Sequence, residues 1–268
     1  MPALRPDCAK QIIWAGQPEE VTEMSVVFIH GFSATKHELR PLPDMVARDL
    51  NANLFLTRLS GHGQDGYAFG AATLQDWTRD TQEALEIASV LGKRVLVIAC
   101  STGCTLAALA LAQGTQVAGL VQVSPNYGLR HRAAQLLLDV PGIRHFGHLI
   151  AGRDRSFDVH SPAHEAYWTT QYPITAVYTM AEAVRAARKA DLGRISAPTL
   201  VALNPEDQVI SPRAARKAMA RWDGPVTHHT LSQGPEDDAM GHVMAGEVFS
   251  PAQTAPLSAR ISDWARQI

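Results

Sequence analysis

Ser101 stands where an apolar stretch, residues 95–100, gives way to Thr102, Gly103 and an alanine-rich segment. A serine hydroxyl is a weak nucleophile until a base takes its proton and the backbone presents its oxygen. A strand that turns sharply into a helix presents it well, but strand and helix then approach closely. Small residues are needed two positions before and two after the nucleophile. Ala99 and Gly103 meet that requirement for Ser101. The same test rejects Cys100, intrinsically the better nucleophile, because Ile98 and Thr102 occupy the corresponding positions. A base and an orienting acid must then come from further along the chain. Asp207 follows a β-branched run within Asn204-Pro205-Glu206-Asp207, where Glu206 is a neighbour of the same charge, and His242 lies in Met240-Gly241-His242-Val243. Of the 11 histidines, His228 and His229 compete for the role of base, but they fall inside an expected strand rather than beyond it. His242 is therefore expected to take the Ser101 proton, and Asp207 to hold the imidazole.

Acyl transfer also needs donors for the negative charge that develops on the substrate oxygen. The first strong apolar run ends in Phe28-Ile29-His30-Gly31-Phe32, where Gly31 permits an unusual turn. The backbone N–H groups of Phe32 and Thr102 are the expected pair, the second reinforced by the positive end of the helix that follows Ser101.

These residues need a scaffold that gathers them. Short β-branched runs recur at 24–30, 54–59, 94–100, 117–124, 199–204 and 226–231, with helical patterns between them. Such alternation predicts an α/β fold with a mostly parallel central sheet. The unbroken apolar run Val95-Leu96-Val97-Ile98-Ala99 predicts strands covered on both faces, hence flanking helices. Thr73 and Asp76 form a capping-box pattern ahead of an amphipathic stretch up to Gly92. Ser211-Pro212 reads as a helix start, and Leu257, Ile261, Trp264 and Ile268 trace a late helical stripe. Residues 102–112, apolar nearly all round, predict a helix packed on several sides. Strand signals stop over 125–190, where helical segments at 132–138 and 179–189 are expected. This divides the chain into a core of residues 1–124 and 191–268 and an inserted helical cap of residues 125–190. Trp168, Tyr172, Tyr178 and Met180 give the cap apolar material, either to line an acyl pocket or to pack the cap onto the sheet.

Taken together, His30-Gly31-Phe32, Gly61-His62-Gly63, Ala99-Cys100-Ser101-Thr102-Gly103, Asn204-Pro205-Glu206-Asp207 and Gly241-His242 resemble the α/β-hydrolase family over most of the chain. Within it the sequence is most similar to small monoacylglycerol-lipase-like carboxylesterases. The resemblance implies an α/β-hydrolase fold with a lid over an acyl pocket. Two departures stand out: Ala99 replaces the first glycine of the usual Gly-x-Ser-x-Gly, and Gln233-Gly234-Pro235-Glu236-Asp237-Asp238 adds negative charge on the approach to His242.

Composition narrows the remaining possibilities. The 268 residues carry 24 Lys and Arg against 26 Asp and Glu, so no global field favours nucleic acid or an anionic membrane. No apolar run has the length of a membrane span, and the N-terminal residues lack a basic stretch followed by an apolar core; a cytoplasmic location and no stable membrane insertion are expected. Three cysteines in apolar surroundings predict no disulfide framework. His145, His148, His160 and His164 lack the dense partner set a metal requires, so no metal is expected. Gly61-His62-Gly63-Gln64-Asp65-Gly66 spells a dinucleotide fingerprint, but residues 67–72 intervene before the helix expected at Thr73, and a loop lining the crevice is the preferred reading. The expected activity is serine-dependent hydrolysis of a small-molecule carboxylic ester, of short or medium acyl chain or monoacylglycerol-like, without a cofactor. An acyltransferase, a carbon–carbon bond hydrolase with the same three residues, and a ligand-binding protein with little turnover are the alternatives.

Overall fold

A computed structural model describes residues 3–268. The chain opens with the short strand β1 (Gln11–Ile13) and the long strand β2 (Thr22–Ile29). Helix α1 (Leu42–Asp49) leads to β3 (Asn53–Leu56), and α2 (Gly66–Ala71) with α3 (Leu74–Leu91) leads to β4 (Gly92–Cys100). Helix α4 (Thr102–Ala112) joins β4 to β5 (Gly119–Val123). Next come α5 (Arg132–Asp139), the one-turn helices α6 (Ile143–Phe146) and α7 (His148–Ala151), and strand β6 (Asp154–Ser156). Helix α8 (Pro162–Tyr167), strand β7 (Gln171–Pro173) and the longer helix α9 (Thr175–Lys189) follow. Strand β8 (Thr199–Leu203), α10 (Pro212–Met219), β9 (Val226–Thr230) and α11 (Pro251–Ala265) complete the chain.

Seven strands form one sheet in the order β1-β3-β2-β4-β5-β8-β9. Every pairing in it is parallel except that of β1 with β3. Alternate residues feed two cores. Val27, Ile29, Val95, Val97 and Ala99 face a cluster shared with α3, α4 and α9, whereas Val26, Phe28, Leu96, Ile98 and Cys100 face one shared with α1 and α11. Burial on both faces explains why these strands read as continuous apolar runs. The chain steps from β2 outward to β3, then crosses back over β2 to β4 and continues the other way. Loops leaving β2 and β4 therefore diverge, opening a crevice between the C-terminal ends of those strands. The register sets Ile29 beside Ala99, and Cys100 beside Val123, so the ends of β2, β4 and β5 lie level at that crevice.

The expected strands are present with ends shifted by a few residues. The Thr73 capping box is formed in both directions, and Ser211 caps α10 through the amide of Ala214. Strand β1 and the small antiparallel pair β6–β7 were not expected; each has only three residues, too few to show a period. The segment between β5 and β8 ends in α9, which packs against α4. Residues 67–72 are not an irregular spacer: α2 begins at Gly66, and the Asp65 carboxylate accepts the Ala68 amide at its start. A negative charge thus occupies the helix end where a pyrophosphate would have to bind.

Candidate active site

Ser101 sits between β4 and α4 with φ 49° and ψ −112°. Positive φ is costly for any residue with a Cβ, and the surrounding bonds hold it there. Its amide donates to Val123 O at 3.0 Å, while its carbonyl accepts the amides of Cys104 at 3.1 Å and Asn126 at 3.2 Å. A Cβ at Gly103 would collide with the carbonyl oxygens of Ile29 and His30, so α4 can cross the end of β2 this closely only with glycine there. Burial pushes the thiols of Cys100 and Cys104 far above their ordinary values, which leaves them chemically quiet.

The structure brings Ser101, Asp207 and His242 together. His242 Nε2 lies 3.0 Å from Ser101 Oγ, and Nδ1 lies 2.7 Å from Asp207 Oδ2. Asp207 is fully buried, and its other oxygen accepts the amides of Val209 at 2.8 Å and Ile210 at 2.9 Å. These bonds fix the carboxylate and leave Oδ2 aimed at the imidazole. Burial alone would lower the proton affinity of His242, but the Asp207 charge and hydrogen bond, with Glu38 and Asp238, outweigh it and raise the pKa above the ordinary value.

The loop carrying His242 is itself held at several points that sequence reading did not single out. Asp238 Oδ2 accepts the amides of His242 at 2.9 Å and Val243 at 2.8 Å, and its Oδ1 accepts that of Met240 at 3.1 Å. Ser124 Oγ donates to His242 O at 2.6 Å, and Asn204 Nδ2 to Gly241 O at 3.0 Å. Of these, Asp238 left a signal in the sequence as the last acid of the charged run before the histidine loop, and Asn204 as the first residue of Asn204-Pro205-Glu206-Asp207.

On the opposite side, the end of β2 approaches Ser101. A Cβ at Gly31 would lie 3.0 Å from Ser101 Cβ and 2.6 Å from Glu38 Oε1. Phe32 follows, its ring wedged against Phe69, Trp77 and Tyr172, and Thr102 opens α4. Both candidate amides thus belong to segments held against Ser101.

A cavity of about 320 Å³ opens above these residues, lined by Ser101, His242 and Phe32 and, among the expected binding residues, by Trp168, Tyr172 and Met180. Tyr178 lies elsewhere. It packs with Leu138, Ile143 and Ile174, because two helical steps turn it to the opposite face of α9 from Met180. The Gly61-His62-Gly63 loop does not line the cavity either. His62 is wholly buried behind that wall, against His30, Phe69 and Trp77. Glu38 and Asp238 are among the residues lining the cavity, with no lysine or arginine among the described lining residues.

Comparison with known proteins places the chain in a family. Residues 26–256 match the pattern of the alpha/beta hydrolase family. The chain belongs to that family. Over 190 residues, 70% of this chain and 72% of the relative, it is 26% identical to a thermostable monoacylglycerol lipase of Bacillus sp. (strain H-257). The fold is similar to a structure reported with LipS and LipT, two metagenome-derived lipolytic enzymes, at TM-score 0.79 and 17% identity, covering 99% of this chain and 100% of the other. It is also similar to the monoacylglycerol lipase of Paleococcus ferrophilus, at TM-score 0.67 and 13% identity, covering 96% and 98%. At these identities the two structures establish the shared hydrolase fold.

Proposed function

We propose that the protein is a serine hydrolase that cleaves uncharged carboxylic esters through an acyl-enzyme. The observation that carries this reading is the unbroken line from Asp207 Oδ2 through His242 to Ser101 Oγ, at 2.7 and 3.0 Å, with the serine held on a strained turn at a helix start. The lipases among its relatives support the ester class. Ser101 Oγ attacks the ester carbonyl carbon as its proton passes to His242 Nε2. The amides of Phe32 and Thr102 hold the resulting oxyanion, and Asp207 stabilises the imidazolium without taking its proton. Collapse of the intermediate breaks the bond to the alkoxy oxygen, which receives the proton from His242. Water, deprotonated by His242, then attacks the acyl carbon; the proton returns to Ser101 Oγ, and the carboxylic acid is released.

Segment 125–190 acts as the cap in this proposal, with Trp168, Tyr172 and Met180 forming an apolar wall around the acyl group. A cavity of about 320 Å³ favours short and medium chains over long ones. The lining includes two acidic residues and no lysine or arginine among the described residues, which favours neutral esters over anionic ones. Turnover of p-nitrophenyl esters of increasing chain length tests the reading, with Ser101→Ala as the control. Ser101→Ala is expected to lower kcat by on the order of 10⁴-fold or more and to abolish labelling by a fluorophosphonate. Near-normal turnover by that variant would reject the assignment.

A further inference from the structure

Glu38 is a carboxyl near Ser101 that the proposed reaction leaves unused. It lies on the loop after β2, is almost wholly buried, and lines the same cavity as Ser101 and His242. Its Oε2 accepts the Gly31 amide at 2.5 Å, and Oε1 would be 2.6 Å from a Cβ built on Gly31, the same point that lies 3.0 Å from Ser101 Cβ. The carboxyl therefore touches the turn that sets the Phe32 amide and stands close behind the nucleophile.

We propose that Glu38 is a positioning residue that pins the Gly31 turn beside the nucleophile and, across the shared cavity, makes the proton affinity of His242 depend on its own charge. The inference rests on the serine hydrolase reading for its effect on turnover, but its effect on His242 stands apart from that reading.

The groups facing Glu38 make this coupling specific. From the end of β4 comes the Cys100 thiol, and from the loop after β9 come His242 and Asp238, with Asp207 behind the imidazole. Basic groups on its own loop are committed elsewhere: Lys36 to Asp7 at 2.7 Å, His37 to Asp7 at 3.0 Å and Arg40 to Asp44 at 2.6 Å. His242 is thus the titrating group in this set that becomes a cation. Burial raises the Glu38 pKa to about 7 against the opposing pull of the Gly31 amide, His242 and Cys100. The negative charge of Glu38 and the positive charge of His242 therefore each favour the other.

Glu38→Gln separates the two roles, since the amide oxygen still accepts the Gly31 N–H but carries no charge. The expected result is an acid limb of kcat/KM displaced to lower pH by about half a unit or more, because a neighbouring negative charge no longer stabilises the imidazolium. Glu38→Ala also loses the anchor, and its kcat is expected to fall about tenfold or more below that of Glu38→Gln with little change in KM. The titration of His242, followed through its ring carbon–proton signal in Ser101→Ala with and without Glu38→Gln, needs no turnover. It is expected to move to lower pH in the double variant. A profile and a titration that both superimpose on those of the Glu38 proteins would overturn the proposal. Turnover that survives Ser101→Ala would instead sink the hydrolase reading, and the His242 titration would still decide the role of Glu38.

Discussion

In the proposed reaction the His242 imidazole must accept a proton and works only while neutral, so its environment fixes where activity would begin. Its carboxylate neighbours raise its pKa above the ordinary 6.5, and the acid limb of kcat/KM is therefore expected above that value, rising with pH. A pH–rate profile with its half-maximum below 6 would contradict the assignment of base. Two other histidines behave in the opposite sense. Burial lowers the pKa of His30 to about 4, with Gly31 hydrogen bonding opposing and Arg58 assisting, and burial drives that of His62 down as well, aided by His30. The unfolded chain takes up these protons first, so the stability they contribute is complete above pH 6.5 and is lost as pH falls toward 4. For His30 this amounts to about 3 kcal/mol. Ring-proton NMR is expected to find both imidazoles neutral at pH 6, and urea midpoints should fall through the same interval. Ser101 was legible in the sequence because the need for small neighbours is local, satisfied by Ala99 and Gly103 within one turn of chain. Glu38 was not, since its contact with the Gly31 amide comes from a loop folding back, and nothing in the local pattern distinguishes it from a solvated acid.

Secondary-structure elements show the same division between local and distant causes. The crossing of α4 over β2 depends on Gly103, and Gly103→Ala is expected to drive backbone atoms apart at Ile29 and His30. Such overpacking costs about 2 kcal/mol or more, measurable as a lower urea midpoint, and it should depress kcat by displacing Ser101. The loop bearing His242 offers a milder test. Asp238→Ala removes the acceptor of three amides and should lower kcat by roughly 10- to 100-fold while KM changes little, as steady-state kinetics would record. Strand positions were readable because burial on both faces leaves apolar runs that only a covered parallel sheet explains. Helix faces in residues 125–190 were less so. Met180 and Tyr178 are equally apolar in sequence, yet α9 turns one to the cavity and the other to α5 and α6, a choice made by the packing of three elements at once. The interval at 67–72 was misjudged because six residues including Gly66 and Gly70 form a weak helical pattern, stabilised in place by the Asp65 cap.

At the scale of the whole molecule, residues distant in sequence meet because parallel strands end at a common edge, and the order of the runs along the chain was sufficient to anticipate that meeting. The volume above the site was not legible, since it depends on how several aromatic rings close on one another. Trp168 packs edge-on against Phe249 and His164 and forms part of the cavity wall. Trp168→Ala is expected to shift the preferred ester toward longer acyl chains, seen as a raised ratio of kcat/KM for long over short p-nitrophenyl esters. It should also lower stability by about 3 kcal/mol.

A lining with two acidic residues and, among the described residues, no lysine or arginine bears on the end of the proposed cycle as well as its start. In the proposed cycle deacylation turns a neutral guest into a carboxylate, to which the described lining residues offer no lysine or arginine while an ionised Glu38 repels it. Departure of the acid is thereby favoured as soon as it loses its proton. The free acid should then inhibit far more weakly at neutral pH than an uncharged amide of the same chain length.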